Sequence, residues 1–450
     1  MDRLLLVLVL VACATAVDAA RSIIVSPNFA YYKDRSADSI AEEISVNGFG
    51  DVRLISTNHA EISDELLKAF RDRRIRVWHS TFCHGVYSAA DLPAGWETWQ
   101  MKMRQPGRPG GFVSFCPNNP EYRKWKKTAV VAVLKRHKFD GIDLTEPFLP
   151  AYLGPESPHY GCLCAHCEAV FKAMYPGVTR IPEFEDSTSS DYWKTNRALY
   201  DKWVEFRVST VVEFLYELVN GKDGIRENCP NLSVATWSLG CAMPDQISKL
   251  REWEAVDGAA IVKRVRPDIH VIQTDWPDWI KPDLPSSYVE RYKPVLESIR
   301  AVAPTVPIML QTDIGSNANM RRSAKWLAEV ERMARKIGFS STTSYEYFIG
   351  GYMYDEPPRP VEAEREPGGI RLVFSKRVDP ASAGDVRNYT LNSGQVLSAK
   401  VDGNIVHLRV PGAESGLIVT ASSISDDTAR RLYHDKPPCV MRDAVRIPVK

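Results

Sequence analysis

The chain has 450 residues, a formal net charge of +1 and 44% hydrophobic residues. These values predict a folded protein of two or three domains rather than a disordered chain. The charge is near zero and no dense Lys/Arg patch occurs, so we expect no nucleic-acid partner.

Residues 1–20 have the pattern of a signal peptide. Arg3 supplies a positive charge, residues 4–11 form an apolar run, and Val17 to Ala19 offer a small-residue cleavage site. The run is too short to span a bilayer, and no later segment approaches about 20 continuous apolar residues. We therefore expect an exported protein without a membrane span: secreted, periplasmic or on the cell surface. The stretch LVAC also resembles a lipobox, which would make Cys13 a lipid anchor.

Strand-like and helix-like segments alternate from residue 22 onward. The predicted strands are 22–29, 51–57, 74–82, 139–146, 232–239, 268–276, 306–313 and 339–348. The predicted helices are 36–47, 61–72, 119–137, 165–174, 191–220, 286–302 and 320–336. Eight strands with helices between most of them predict an α/β fold, a (β/α)8 TIM barrel over 21–352 with an insertion at 150–230. An open doubly wound sheet is the alternative, but no G-x-G-x-x-G follows the first strand.

The character of the chain changes after the barrel. Residues 353–367 predict a linker, and 368–450 contain short alternating strands that predict a small all-β sandwich. The run LVFSKRVDPASAGDVRNYTL resembles the Ig-like modules of bacterial secreted proteins. That resemblance implies a spacer or surface-contact role for the module rather than chemistry.

The carboxyl ends of barrel strands carry the active site in this fold, and several acids are expected there. They are Asp143, Glu146, Asp275, Asp313 and Glu346. Polar and aromatic side chains from other strand ends are expected to bind substrate beside them. They are Asn28, Trp78, His79, Trp237, Trp276, Gln311, Tyr345 and Tyr347.

Converging carboxyls raise one another's pKa, which suits general acid/base catalysis. Glycoside hydrolysis needs one protonated carboxyl and one carboxylate, and aromatic faces stack on sugars. We therefore expect a hydrolase of oligo- or polysaccharides that needs no cofactor for its chemistry. Two alternatives stay open, a catalytically inactive carbohydrate-binding barrel and a metal-dependent hydrolase with a divalent cation on the acids.

The stretch DLTEP resembles the Asn-Glu-Pro ending of strand four in the large clan of retaining barrel glycosidases. The resemblance implies that Glu146 is the acid/base, with Thr145 where the clan has Asn. The clan's nucleophile is a Glu ending strand seven, where this chain has Asp313, and a Glu follows one strand later in SYEYF. We rank Glu346 before Asp313 as the partner, because Glu346 has inward parity and two flanking tyrosines. The motifs SFCPNNPEYRKW, FDGIDLTEPF and CLCAHCEAVF also resemble uncharacterised bacterial glycosidase-like barrels.

Three cysteines lie within six residues of the insertion, Cys162, Cys164 and Cys167. This C-x-C-x-x-C spacing is natural for a structural metal such as zinc, and a disulfide with a free thiol is the alternative. A fourth ligand would come from another His or Cys of the chain. The candidates are His159, His166, Cys83, Cys116 and Cys229. The group is similar to the structural zinc site of some barrel β-galactosidases.

Overall fold

The structure is a computed structural model. It describes residues 21–55, 62–90, 92–108, 111–150, 154–312, 320–345, 355–412, 415–431, 434 and 436–450. The predicted signal peptide and Cys13 lie outside the described residues.

Strands and helices largely alternate from residue 22 to residue 345, and strands predominate from residue 360 onward. In chain order the strands are β1 (Ser22–Val25), β2 (Asp51–Ile55), β3 (Arg76–Phe82), β4 (Gly85–Val86), β5 (Val113–Ser114), β6 (Gly141–Thr145), β7 (Ser233–Gly240), β8 (Ile269–Thr274), β9 (Ile308–Gln311), β10 (Ser341–Tyr345), β11 (Pro360–Glu366), β12 (Gly369–Phe374), β13 (Tyr389–Leu391), β14 (Ser398–Asp402), β15 (Ile405–Arg409), β16 (Ile418–Ala421) and β17 (Val445–Pro448). The α-helices are α1 (Ala37–Val46), α2 (Asp64–Asp72), α3 (Pro120–Arg136), α4 (Ala165–Met174), α5 (Arg197–Asn220), α6 (Ile225–Asn228), α7 (Gln246–Glu254), α8 (Gly258–Val265), α9 (Trp276–Trp279), α10 (Lys293–Val302), α11 (Ala324–Ile337) and α12 (Pro380–Gly384).

Eight parallel strands close into a barrel in the order β1-β10-β9-β8-β7-β6-β3-β2. This confirms the predicted TIM barrel. The helices between the strands cover the barrel, and their apolar faces are buried against it. The predicted insertion is the long connection between β6 and β7, which carries α4, α5 and α6.

Start signals in the sequence explain where the barrel helices begin. Asn119 caps α3 by accepting from two backbone N–H groups, and Pro120 occupies the first turn. Ser36 and Ser323 cap α1 and α11, and each side chain accepts from one backbone N–H. These caps fix the loops that precede each helix, and such loops form the carboxyl-end face of the barrel.

The C-terminal residues form two antiparallel sheets, β11-β12-β15-β14 and β13-β16-β17, over a shared apolar core. The linker prediction for 353–367 is wrong over 360–366, because these residues form β11 and pair with β12. The segment PVEAERE reads as polar because it is an edge strand that buries little besides Ala363 and Pro360. Proline at the first residue of an edge strand breaks no ladder hydrogen bond.

A buried polar interface joins the C-terminal sheets to the barrel. Glu43 of α1 accepts from the hydroxyl of Tyr31 at 2.5 Å, from Nη1 of Arg35 at 2.7 Å and from the backbone N–H of Arg377 at 2.6 Å. Arg377 also donates to the carbonyl oxygens of Tyr31 and Lys33. Both side chains of the Arg35–Glu43 ion pair are fully buried. The C-terminal module is therefore fixed to the loop between β1 and α1.

Among the described residues, we find no helix with the length and apolar character needed to cross a membrane.

Candidate active site

A cavity of about 230 Å³ opens at the carboxyl ends of β3, β6 and β8. This is the face on which barrel enzymes place their active sites. The described residues that line it include two carboxyls, several aromatic rings and no Lys or Arg. They are His84, Tyr87, Phe112, Ser114, Glu146, Phe148, Pro150, Leu239, Gln273, Thr274, Asp275, Trp276 and Trp279.

Glu146 directly follows β6 and has a backbone φ of +48°, in the left-handed region. The parity of the strand predicts an outward side chain at this position, but the turn at the strand end lets Glu146 line the cavity. Burial raises the pKa of the Glu146 carboxyl to about 7, although a hydrogen bond from Gln273 lowers it. Glu146 can therefore hold a proton near neutral pH and release it, as a general acid must.

Asp275 follows β8 and supplies the second carboxyl of the cavity. It caps α9 by accepting from the N–H of Trp276 at 2.7 Å. Burial raises the pKa of Asp275 to about 7, and the nearby charge of Asp278 adds to the effect. Asp278 anchors this turn, because it accepts from the N–H of Ala242 at 2.6 Å and the hydroxyl of Tyr292 at 2.8 Å.

Glu254, at the end of α7, is a third acid close to this pair. It is fully buried, and neither carboxyl oxygen has a hydrogen-bond partner among the described residues. Burial raises its pKa well above the usual value, and the charges of Asp275 and Glu146 raise it further, whereas that of Arg207 lowers it. Glu254 therefore keeps its proton to a higher pH than a free glutamate does.

Aromatic rings form two walls of the cavity. Tyr87 and Phe112 lie with their ring centroids 5.0 Å apart, and Phe82 packs on both of them. Trp276 and Trp279 lie on α9 with centroids 6.4 Å apart. Tyr87 is 53% exposed and Trp276 is 39% exposed, so both present apolar faces to solvent at the cavity. Flat apolar faces beside carboxyls and amides suit the binding of a sugar ring.

Several predicted substrate-binding residues lie inside the barrel instead of lining the cavity. Asp143 is fully buried and accepts from Arg53, from Ser80 Oγ at 2.9 Å and from Trp237 Nε1 at 3.2 Å. Trp78 is 2% exposed and packs beneath the Arg53 guanidinium, 5.0 Å from the ring centroid. The Asp143 carboxylate is therefore hydrogen-bonded to other residues inside the barrel, which indicates a structural role for it.

The remaining predicted residues divide between the cavity, its surroundings and the undescribed segments. Asp275 and Trp276 line the cavity together with Glu146. His79 is fully buried against Phe139, and Gln311 is fully buried at the end of β9. Asn28 is exposed in the turn after β1, and Tyr345 ends β10 half-buried. Asp313, Glu346 and Tyr347 lie outside the described residues, and their predicted roles stay predictions.

Sequence reasoning missed His84, Tyr87, Phe112, Ser114 and Glu254. His84 lies two residues beyond β3, so its position after a barrel strand was a usable signal. Phe112 and Ser114 lie on the far side of a Pro/Gly-rich stretch, and the pairing of β4 with β5 brings them back to the cavity. No local pattern marks Glu254, because its burial depends on the packing of α7 behind the cavity wall.

The three predicted metal-ligating cysteines meet Cys116, and the four Sγ atoms lie within 4.8 Å of one another. Cys116 Sγ is 3.5 Å from the Sγ atoms of Cys164 and Cys167. Four thiolates about 2.3 Å from a tetrahedral zinc would be about 3.8 Å apart, so the donor set fits this metal. Asn118 donates to two of the sulfurs from its backbone and its side chain.

No family model matches the sequence, and no curated protein matches it. Among solved structures, the chain is similar to a catalytic mutant of Gan42B, a GH42 beta-galactosidase from G. stearothermophilus, with 14% identity over 74% of this chain and 51% of that one and a TM-score of 0.50. Another similar structure is a beta-galactosidase from Bacillus circulans sp. alkalophilus, with 15% identity, 73% and 50% coverage and a TM-score of 0.48. A third is the glycoside hydrolase domain of PelA from Pseudomonas aeruginosa, with 10% identity, 72% and 94% coverage and a TM-score of 0.39. The chain spans about half the length of the two galactosidases. The likeness to Gan42B is one of fold alone, that of a (β/α)8 barrel.

Proposed function

We propose that the chain is a glycoside hydrolase and that Glu146 is its acid/base. The observation that carries this proposal is a carboxyl that titrates near neutral pH, between aromatic walls, at the carboxyl end of a TIM barrel. In the first step, Glu146 gives its proton to the glycosidic oxygen as the bond to the anomeric carbon breaks. Gln273 holds the carboxyl in place, because its side chain hydrogen-bonds to Glu146.

A second carboxylate must attack the anomeric carbon or activate a water molecule. We keep Glu346 as the first candidate and Asp313 as the second, on the sequence grounds given above. Asp275 joins them as a candidate from geometry, because it lines the same cavity as Glu146. Its own backbone hydrogen bond from Trp276 favours the ionised form.

A panel of nitrophenyl glycosides and oligosaccharides, without added metal, tests the activity. We expect hydrolysis of at least one glycoside, and a loss of several hundredfold or more in Glu146→Gln. Glu346→Gln, Asp313→Asn and Asp275→Asn then identify the partner, which should give a similar loss. Glu156→Gln is a matched control, because Glu156 is an exposed glutamate paired with Lys194 outside the cavity.

Three outcomes separate the functional classes. Full activity in Glu146→Gln would refute the acid/base assignment. Sugar binding without turnover by the wild-type chain would favour an inactive binding barrel. Loss of turnover with a chelator and recovery with a divalent cation would favour a metal-dependent hydrolase.

We further propose that Cys116, Cys162, Cys164 and Cys167 bind a structural zinc. The support is the mutual distance of the four sulfurs and a donor set typical of structural zinc. Cys116 lies in the loop between β5 and α3, whereas the other three belong to the insertion. Zinc would therefore join the insertion to the barrel and leave no open position for catalysis.

We also infer that the C-terminal sheets are an Ig-like module and that the protein is exported. The module proposal is supported by two antiparallel sheets of four and three strands over one core. The export proposal, with a lipid anchor at Cys13 as the alternative to a free secreted form, is supported by the pattern of residues 1–20 alone. Mass spectrometry of the mature N-terminus tests it.

A further inference from the structure

Three buried polar side chains line the cavity with atoms that have no hydrogen-bond partner in the described part of the chain. They are one ring nitrogen of His84 (the other ring nitrogen faces the backbone carbonyl of Cys83), Oγ of Ser114 and Oε1 of Gln273. The residues are 2%, 6% and 3% exposed, respectively. Buried polar atoms in native structures are satisfied by protein or by ordered water, so these three residues offer hydrogen-bonding groups to whatever occupies the cavity.

His84 and Ser114 are held in place by the antiparallel pairing of β4 with β5. The carbonyl oxygen of His84 accepts from the N–H of Phe115 at 2.7 Å, and Gly85 pairs with Ser114. A Cβ atom at Gly85 would lie 2.2 Å from the carbonyl oxygen of Val113, so the two strands approach too closely for any other residue. The His84 ring also packs edge-on against Phe214 with centroids 4.8 Å apart. The unsatisfied atoms therefore have fixed positions.

The hydrogen-bond donors and acceptors of the site complement a sugar hydroxyl group. Burial, with the positive charge of Lys126, lowers the pKa of His84 to about 3, although a hydrogen bond to the Cys83 carbonyl raises it. The ring is therefore neutral at neutral pH and keeps one nitrogen that can accept a hydrogen bond. Lys126 donates to Thr81 at 2.7 Å and does not line the cavity. A hydroxyl both donates and accepts, and it therefore complements His84, Ser114 and Gln273 alike.

The charge of the cavity selects against acidic ligands. Glu146 and Asp275 are its ionisable acids, and no Lys or Arg is among its described lining residues. A carboxylate or sulfate would find no counter-ion there and would be repelled whenever either acid ionises.

We propose that His84, Ser114 and Gln273 form the hydroxyl-binding subsite for a neutral pyranose, so that the substrate is a neutral glycoside rather than a uronate or a sulfated sugar. The proposal rests on the proposed function, because it places the sugar ring whose glycosidic oxygen faces Glu146. Gln273 links the subsite to the acid/base, since its side chain hydrogen-bonds to Glu146 while its Oε1 is available to a sugar hydroxyl.

Binding and turnover of the full chain test the subsite. The ligands are methyl α- and β-pyranosides of glucose, galactose and mannose, with methyl glucuronide as the acidic counterpart, measured by titration calorimetry. We expect at least one neutral glycoside to bind, and glucuronide to bind at least about tenfold more weakly. Ser114→Ala and His84→Phe should each weaken binding and raise KM by about threefold to tenfold. Ser157→Ala is the matched control, because Ser157 is also 6% exposed but lies outside the lining residues.

The outcomes distinguish this proposal from the proposed function. Turnover that needs Glu146 but is unchanged in Ser114→Ala and His84→Phe would overturn the subsite and leave the hydrolase assignment standing. Equal binding of glucuronide and the neutral sugars would overturn the substrate class. Failure of every glycoside to bind or react would overturn the proposed function itself. The serine variant removes a single oxygen, so it keeps the test valid if His84→Phe does not fold.

Discussion

Replacing Glu43 by Ala should strongly destabilise the protein through its interface with the C-terminal module. The change leaves the Arg35 guanidinium fully buried without its counter-ion and removes the acceptor of Tyr31 and of the Arg377 N–H. Breaking a buried ion pair by removing one partner costs about 3–5 kcal/mol. Arg35 keeps its bonds to Ser39 and Asn404, which hold it in place and prevent escape to solvent. We therefore expect the free energy of unfolding to fall by about 3–5 kcal/mol.

The assay is guanidinium unfolding followed by tryptophan fluorescence. Asp34→Asn is the matched control, because it breaks the exposed Arg430–Asp34 pair across the same interface. An exposed pair contributes about 0–1 kcal/mol. Equal stability losses in Glu43→Ala and Asp34→Asn would refute the argument that burial makes the Glu43 contacts strong.

Three further predictions concern the site and the metal. Turnover should fall as pH rises through about 7, because Glu146 must be protonated to assist the leaving group and its pKa is raised to that value; a rate that stays constant from pH 6 to 9 would contradict this. Burial raises the pKa of Glu254, so the folded wild-type protein holds a proton that the unfolded chain loses as pH rises above about 5. The free energy of unfolding of the wild type should therefore fall relative to that of Glu254→Gln, by up to about 1.4 kcal/mol per pH unit. Urea unfolding at pH 5 and pH 8 measures the difference, and a difference independent of pH would count against the buried acid. Cys164→Ser should reduce bound zinc from about one per chain, as measured by plasma mass spectrometry, whereas Cys439→Ser outside the cysteine group should not.

The barrel could be predicted from sequence because its signals are local. Buried parallel strands are short apolar runs, and caps such as Ser36, Asn119 and Ser323 mark the helix starts. The sequence prediction for α4, 165–174, agrees with the structure at both ends. The short helices α7 and α8 went unpredicted, since they are only nine and eight residues long.

The residues of the candidate site could be predicted from sequence only where they follow the end of a barrel strand. Glu146, Asp275 and Trp276 each follow a barrel strand directly, and all three line the cavity. Alternation along β6 correctly places Asp143 inside the barrel, but it cannot show that Arg53 from β2 neutralises that carboxylate. Ion pairing between strands distant in sequence decides whether an inward acid is structural or free to act.

The left-handed backbone of Glu146 has an evolutionary consequence. A glutamate in this conformation costs about 1–2 kcal/mol relative to the right-handed region, and glycine would occupy it freely. Selection for thermal stability alone would therefore favour glycine at this position, where the chain retains a long acidic side chain. Glutamate at this position therefore gives up stability that glycine would recover, as expected of a side chain with the acid/base role proposed above.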